Sequence, residues 1–323
     1  MSWLVTGGAG YIGAHVVRAM VAGGAGVVVC DDLSTGSAER VPAGVPLVVG
    51  SVLDATLLER TIRDHGVTGV VHIAAKKQVG ESVERPLHYY RENVTGLQTL
   101  LEAMAATGVE RLVFSSSAAV YGMPDVDLVT EDTPCVPMNP YGETKLIGEW
   151  LINAAARAHG LRAACLRYFN VAGAAAPDLA DTGVTNLVPM VFERLEAGEA
   201  PRIFGADYAT QDGTCVRDYI HVQDIASAHL AAARHLAEAP AGTALTLNVG
   251  RGEGSSVLEM VERILKVTGR GDVKPELAAR RAGDPARVVA SAERIRAELG
   301  WTARHDLDEM IESAWAGWRH HRG

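Results

Sequence analysis

No run of apolar residues in this sequence approaches the roughly 20 that a membrane-spanning helix needs, so a bilayer partner is not expected. Positive charge is also short, with 30 Lys and Arg against 39 Asp and Glu, for a net charge of −9. A negative globule has no field that draws nucleic acid or anionic lipid, and an anionic small molecule would have to be held by local arginines. Cysteine is scarce. Cys30, Cys135, Cys165 and Cys215 lie far apart, in no CxxC and no metal-ligand spacing. That speaks against a disulfide scaffold or a cysteine-based metal site and for free thiols in a reducing compartment. The adjacent His320 and His321 read as a polar tail, so no metal is expected. Repeats and low-complexity tracts are absent, and strand-like Trp3–Thr6 leaves no room before it for a signal peptide. The expected location is cytoplasmic.

What is present is 323 residues, 48% of them apolar, with 34 glycines, enough for one large α/β domain and a smaller second lobe. Short β-branched runs at Trp3–Thr6, Val27–Cys30, Pro46–Val49, Gly69–Ile73, Arg111–Ser115 and Arg162–Tyr168 alternate with helical patterns at Tyr11–Val21, Ala55–His65, Val94–Thr107 and Gly142–His159. That order predicts a doubly wound parallel sheet of the Rossmann type, whose ligands sit at the carboxyl ends of the strands. Beyond Asn170 turn residues cluster and the periodic segments shorten. Residues 171–323 are expected to form mainly a substrate-binding lobe of mixed α/β character, with segments around 215–250 returning to the first domain of residues 1–170. Helices are predicted at Asp224–Ala237 and Ser256–Thr268, and a strand at Leu245–Val249.

The first strand runs into Gly7-Gly8-Ala9-Gly10-Tyr11-Ile12-Gly13. Glycines there permit a tight turn, close approach of backbone to a pyrophosphate, and close packing of the helix whose N-terminus meets the phosphates. Asp31 follows Gly13 at about the spacing expected of the acid that binds an adenosine ribose, with Asp32 beside it. A carboxylate there repels a 2′-phosphate, which selects NAD over NADP.

The stretch Asn139-Pro140-Tyr141-Gly142-Glu143-Thr144-Lys145 starts a helix, so Tyr141 and Lys145 stand on one face. A nearby cation favours a phenolate and brings it toward the range of a useful base. The only lysines are Lys76, Lys77, Lys145, Lys266 and Lys274, which makes the pairing unlikely to be chance. Upstream, Ser115, Ser116 and Ser117 end a strand and deliver hydroxyls to the same sheet edge.

On these residues the chain resembles the extended short-chain dehydrogenases, and within them the UDP-glucose 4-epimerases. The similarity also runs through 79–82, Asn93-Val94, Leu166–Asn170, Thr185–Pro189, Asp212–Val222 and Arg281–Asp284. The resemblance implies that Tyr141 is the base, that Lys145 holds the nicotinamide ribose of NAD, and that Ser117 bonds the reacting hydroxyl. It implies further cofactor contacts from Ser51, Val52, Asn93, Tyr168 and Lys77, with Lys76 the neighbouring alternative. Asn170, Asn186, Leu187, Phe204 and Tyr219 would line a UDP-sugar site, Arg217 and Arg281 would grip its diphosphate, and Asp284 would meet the uridine ribose. Two departures stand out: Ser51 replaces a usual aspartate that meets adenine, and Ala119 replaces a usual hydroxyl residue. The implied reaction inverts C4 of UDP-glucose and UDP-galactose through a transient 4-keto sugar, in a homodimer. Counting from Asp284 puts Val288 where a bulky aromatic excludes N-acetylated sugars in some relatives, so UDP-N-acetylhexosamines are expected to fit.

Other readings are weaker. A 4,6-dehydratase needs an acid–base carboxylate pair where this chain has Ala118-Ala119, and an NADPH-dependent ketoreductase is at odds with Asp31. A non-catalytic NAD sensor would have no reason to keep Ser117, Tyr141 and Lys145 together.

Overall fold

A computed structural model describes residues 1–281 and 283–322; Ala282, within the Arg281–Asp284 stretch, lies outside the described residues. Six strands open the chain: β1 (Ser2–Thr6), β2 (Gly26–Asp31), β3 (Leu47–Val49), β4 (Val67–His72), β5 (Arg111–Ser117) and β6 (Arg162–Tyr168). With the later strand Ala244–Val249 they form one sheet, in the order Ala244–Val249, β6, β5, β4, β1, β2, β3. Every pairing in it is parallel. The chain leaves β1 in one direction to β2 and β3 and in the other to β4, so the strand order reverses between β1 and β4. A doubly wound sheet binds its ligand at such a switch point.

Both faces of the sheet are covered, which is why its strands read as nearly continuous apolar runs. One face carries helices Tyr11–Ala22 and Val222–Glu238, which bury Val16, Val17, Met20, Ile225, Ala232 and Leu236 against Val5, Val29 and Leu166. Against the other face, helices Ala55–Asp64, Gly96–Thr107 and Pro140–His159 bury Leu58, Ile62, Leu100, Met104 and Ile152 onto Leu4, Val28 and Phe114. The helix predicted to start at Val94 begins its α-helical part at Gly96, after a π-helical turn over Tyr90–Thr95.

Of the 215–250 stretch, the helix Val222–Glu238 and the strand Ala244–Val249 pack with the main sheet. Strand Val216–His221 belongs instead to a second sheet, with Gly254–Ser256, Arg287–Val288 and Asn170–Ala172. A separate core of Val191, Phe192, Ile203, Tyr219, Ile264, Met310 and Trp318 stabilises this part of the chain.

Candidate active site

The β1 turn is built around backbone. Gly7 has φ +72°, and a Cβ on it would lie 2.6 Å from the Ala74 nitrogen; one on Gly13 would lie 2.0 Å from the Gly7 carbonyl oxygen. These glycines line a cavity of about 310 Å³ with Tyr11, Ile12, Asp31, Asp32, Ser51, Val52, Lys76, Lys77, Tyr141, Lys145 and Tyr168. Asp31 is 6% exposed and does two jobs. Its carboxylate faces the cavity while accepting from the amides of Ala9 and Leu33, both at 2.9 Å, so it also fixes the glycine turn. Burial pushes the Asp32 carboxyl up, yet hydrogen bonds from Ser34 and the nearby Lys76 ammonium bring it net below its usual range. Two carboxylates at this end suit ribose hydroxyls and oppose a phosphate. Ser51 turns its hydroxyl to the Leu53 amide at 3.1 Å, a local turn in place of the charge an aspartate would bring. Lys76 reaches Ser34 Oγ at 2.9 Å, whereas Lys77 is exposed.

Asn93 does not line the cavity. It is buried in the π-helical turn, where Oδ1 accepts from the Lys76 amide at 2.8 Å and Nδ2 donates to Lys76 O and Thr144 Oγ1, both at 3.0 Å. It therefore ties the Lys76–Lys77 loop to the helix carrying Tyr141 and Lys145.

That helix spans Pro140–His159, with Asn139 accepting from the Gly142 amide and proline in the first turn. Gly148 lets it lie close to β5, since a Cβ there would sit 2.8 Å from the Phe114 ring. The Tyr141 phenol is pushed up by burial and drawn back by the Ser117 hydroxyl. Lys145 makes no direct hydrogen bond to that phenol. Lys145, 5% exposed, donates instead to the Ser115 carbonyl at 2.7 Å, with Nζ 5.9 Å from the Tyr141 ring centre. Burial pushes the ammonium down to about 8, while Glu149 raises it. No carboxylate pairs directly with Lys145 among the described residues, so it faces the cavity with donors to spare, which suits a ribose diol. Narrow glycine turn, paired carboxylates and buried ammonium together fit an NAD-sized dinucleotide.

A second cavity of about 350 Å³ shares the lining residue Thr185 with the first. It gathers Asn170, Asn186, Leu187, Phe204, Arg217, Tyr219, Arg281 and Asp284. Arg217 pairs with Asp284 at 2.5 Å, and the Arg281 guanidinium stacks 3.9 Å from the Phe204 ring centre. Val288 lines neither cavity. It is 8% exposed, paired beside Arg217 in the second sheet and packed with Tyr121, Leu146 and Phe169.

Sequence reasoning missed the far wall of the dinucleotide cavity, formed by Asp181, Thr182 and Gly183. Arg40 holds this wall by donating to Ala180 O at 2.9 Å, and Arg18 by an ion pair to Asp178 at 2.7 Å. No motif marks it; only the isolated arginines after the first and second strands hint at a distant partner.

With this geometry in hand, comparison with known proteins is specific. The family model "NAD dependent epimerase/dehydratase family" matches residues 3–250. A curated UDP-glucose 4-epimerase of Azospirillum brasilense is 48% identical over 96% of this chain and 90% of its own. A crystal structure of UDP-glucose 4-epimerase from Stenotrophomonas maltophila, with bound NAD and formylated UDP-arabinopyranose, superposes with a TM-score of 0.94. It is 40% identical and covers 100% of this chain and 99% of the other. The UDP-Glc/GlcNAc 4-epimerase of Campylobacter jejuni follows at 0.87 and 37%, covering 99% of each chain. A fold, a cavity pair and a sequence that agree along nearly the whole chain leave one assignment: the chain belongs to the NAD dependent epimerase/dehydratase family, in its UDP-glucose 4-epimerase branch.

Proposed function

We propose that the protein interconverts UDP-galactose and UDP-glucose by inversion at C4, with NAD retained through the cycle. The observation that carries this reading is a pair of cavities that share Thr185 in their lining. One is floored by the glycine turn and Tyr141, and the other is lined by Arg217 and Arg281. Tyr141 is the acid–base group: it takes the 4-hydroxyl proton and later returns it. Ser117, whose hydroxyl draws the phenol back toward its usual range, orients the 4-hydroxyl, and Lys145 holds the nicotinamide ribose and adds positive charge near the phenol. NAD, which the glycine turn, Asp31 and Lys145 would hold, would supply the reversible hydride acceptance at C4 that side chains cannot. Arg217 and Arg281 clamp the diphosphate, a task suited to planar guanidinium groups, and Asp284 meets the uridine ribose. Rotation of the 4-keto sugar about its bonds to that fixed diphosphate presents its other face. Residues 1–170 act as the cofactor-binding unit, with part of the 215–250 stretch returning to it, and residues 171–323 mainly as the substrate lobe.

The Campylobacter jejuni relative's description as a UDP-Glc/GlcNAc enzyme supports acceptance of N-acetylated sugars as well. Leu87 is 83% and Trp150 60% exposed on neighbouring helices of the first domain, which supports a homodimer formed through that face. Free cysteines support a cytoplasmic location. The decisive test is a nuclear magnetic resonance assay of the purified protein with UDP-galactose and no added cofactor. UDP-glucose is the expected product. A protein that carries NAD yet leaves UDP-galactose untouched would overturn the reading.

A further inference from the structure

We infer that Glu149 is a positioning residue for the epimerisation site, locking the Tyr141–Lys145 helix to the serine end of β5 and supplying the negative field that keeps Lys145 charged. The inference rests on the acid–base reading given above. Glu149 lies one helical turn beyond Lys145 and two beyond Tyr141, and is 2% exposed. Its Oε1 accepts from Ser116 Oγ at 2.5 Å and from Arg167 Nε at 2.9 Å, and its Oε2 accepts from Arg167 Nη2 at 2.6 Å. Arg167, on β6, is 5% exposed and donates through Nη1 to the Tyr121 hydroxyl at 2.8 Å, which donates on to Asn248 Oδ1 at 2.6 Å. One carboxylate thus joins the helix, β5 and β6, and through Tyr121 reaches the strand Ala244–Val249.

Ser116 is the middle of three serines whose neighbours both serve the site. The Ser115 carbonyl before it takes the Lys145 ammonium, and the Ser117 hydroxyl after it draws the Tyr141 phenol back down. Side chains alternate along a strand, so gripping Ser116 from the helix side fixes both neighbours without occupying the cavity. Such a grip requires close approach, which Gly148 provides one residue earlier.

The charges facing Lys145 are few. Its own helix presents Tyr141 and Glu149, and β5 presents the Phe114 ring, 5.1 Å from Nζ, and the Ser115 carbonyl. From β4 comes His72, which burial and then Lys145 itself push down to about 3, so it is neutral. On β6 lie Tyr168, in the same cavity, and Arg167, committed to Glu149. Among the described residues, Glu149 is therefore the one carboxylate that opposes the desolvation of Lys145.

The test is the pH profile of kcat for NAD-loaded Glu149→Gln beside the native protein. Lys145 must stay protonated, so its loss sets the alkaline limb. Removing the carboxylate charge should move that limb about one pH unit lower and reduce kcat at pH 8 by about fivefold, with KM changed far less. A purely structural role would lower the active fraction and leave the limb in place. Because Glu149→Gln strands the Arg167 charge in the core, the double variant Glu149→Gln/Arg167→Met, with no unpaired ion, is read on kcat if the single variant misfolds, since losing both opposite charges leaves the limb nearly in place. Native kcat there overturns the positioning role. A folded, NAD-loaded variant with the native limb and native kcat overturns the inference. Tyr141→Phe separates the two levels. Turnover retained there overturns the acid–base reading, whereas a dead Tyr141→Phe beside an unmoved limb overturns the role of Glu149 alone.

Discussion

Replacing Gly13 with alanine adds a single methyl group and tests whether the β1 turn is a dinucleotide cradle. The new Cβ would stand 2.0 Å from the Gly7 carbonyl oxygen and 2.8 Å from Gly7 C and Gly8 Cα, all of them backbone atoms. No side chain can rotate away to relieve this, so the turn must retreat by more than an ångström. Retreat is resisted by the Gly7 amide on Cys30 O at 2.8 Å and the Ala9 amide on Asp31 at 2.9 Å. Overpacking of this kind costs about 1–3 kcal/mol, and if the strain falls on the pyrophosphate-binding conformation it weakens NAD binding roughly 10- to 100-fold. The assay is NAD per chain released on denaturing the purified protein, with thermal melting measured with and without added NAD. Gly80→Ala is the control, since a Cβ there meets nothing within 4 Å. The expected result is substoichiometric NAD and a lower melting temperature for Gly13→Ala alone, both restored in part by excess NAD. A Gly13→Ala protein with one NAD per chain and the native melting temperature would refute the argument.

Four further outcomes are expected. Tyr141→Phe should keep the fold and its NAD while losing epimerisation by ~10²-fold or more, measured by nuclear magnetic resonance. The cofactor released on denaturation should be NAD; finding NADP instead would contradict the part given to Asp31 and revive a ketoreductase. The natural protein should epimerise UDP-N-acetylglucosamine and UDP-glucose with comparable kcat/KM, measured by steady-state kinetics on both; a protein that ignores the acetylated sugar would contradict that breadth. Light scattering should give the mass of a dimer, and Trp150→Glu should halve it; an unchanged mass would remove the Leu87–Trp150 face from the interface.

The main sheet and the glycine turn were legible in the sequence because each is a local demand written in local residues. Buried parallel strands need apolar runs, and a backbone that approaches other backbone needs glycine. The ends of elements were less visible. The π-helical turn over Tyr90–Thr95 leaves no period that distinguishes it from α-helix, and with it went the true use of Asn93, which grips Lys76 and Thr144. Lys145 and Tyr141 were found as a pair by their spacing, but the first hydrogen bond of Lys145 goes to a carbonyl on another element, and main-chain atoms have no letter in a sequence. The wall at Asp181–Gly183 was hidden for a related reason. It reaches the cofactor cavity through Arg18 and Arg40, some 140 to 160 positions away, and only the fold brings such residues together.

The sheet order has a consequence for biosynthesis. When β6 leaves the ribosome it is the outermost strand, with its hydrogen-bonding edge open and Ala163, Ala164 and Leu166 without full cover. The strand that closes this edge, and the helix Val222–Glu238 that covers one face, arrive more than fifty residues later. At synthesis speeds of about 5–20 residues per second, the nascent chain spends several seconds with an unpaired apolar edge, the kind of surface that recruits other strands. A chain terminated after residue 170 would carry the whole glycine turn and the Tyr141–Lys145 pair and still be a sticky fragment. By contrast, a permuted chain that emits Val222–Val249 before β6 would meet its edge partner at once.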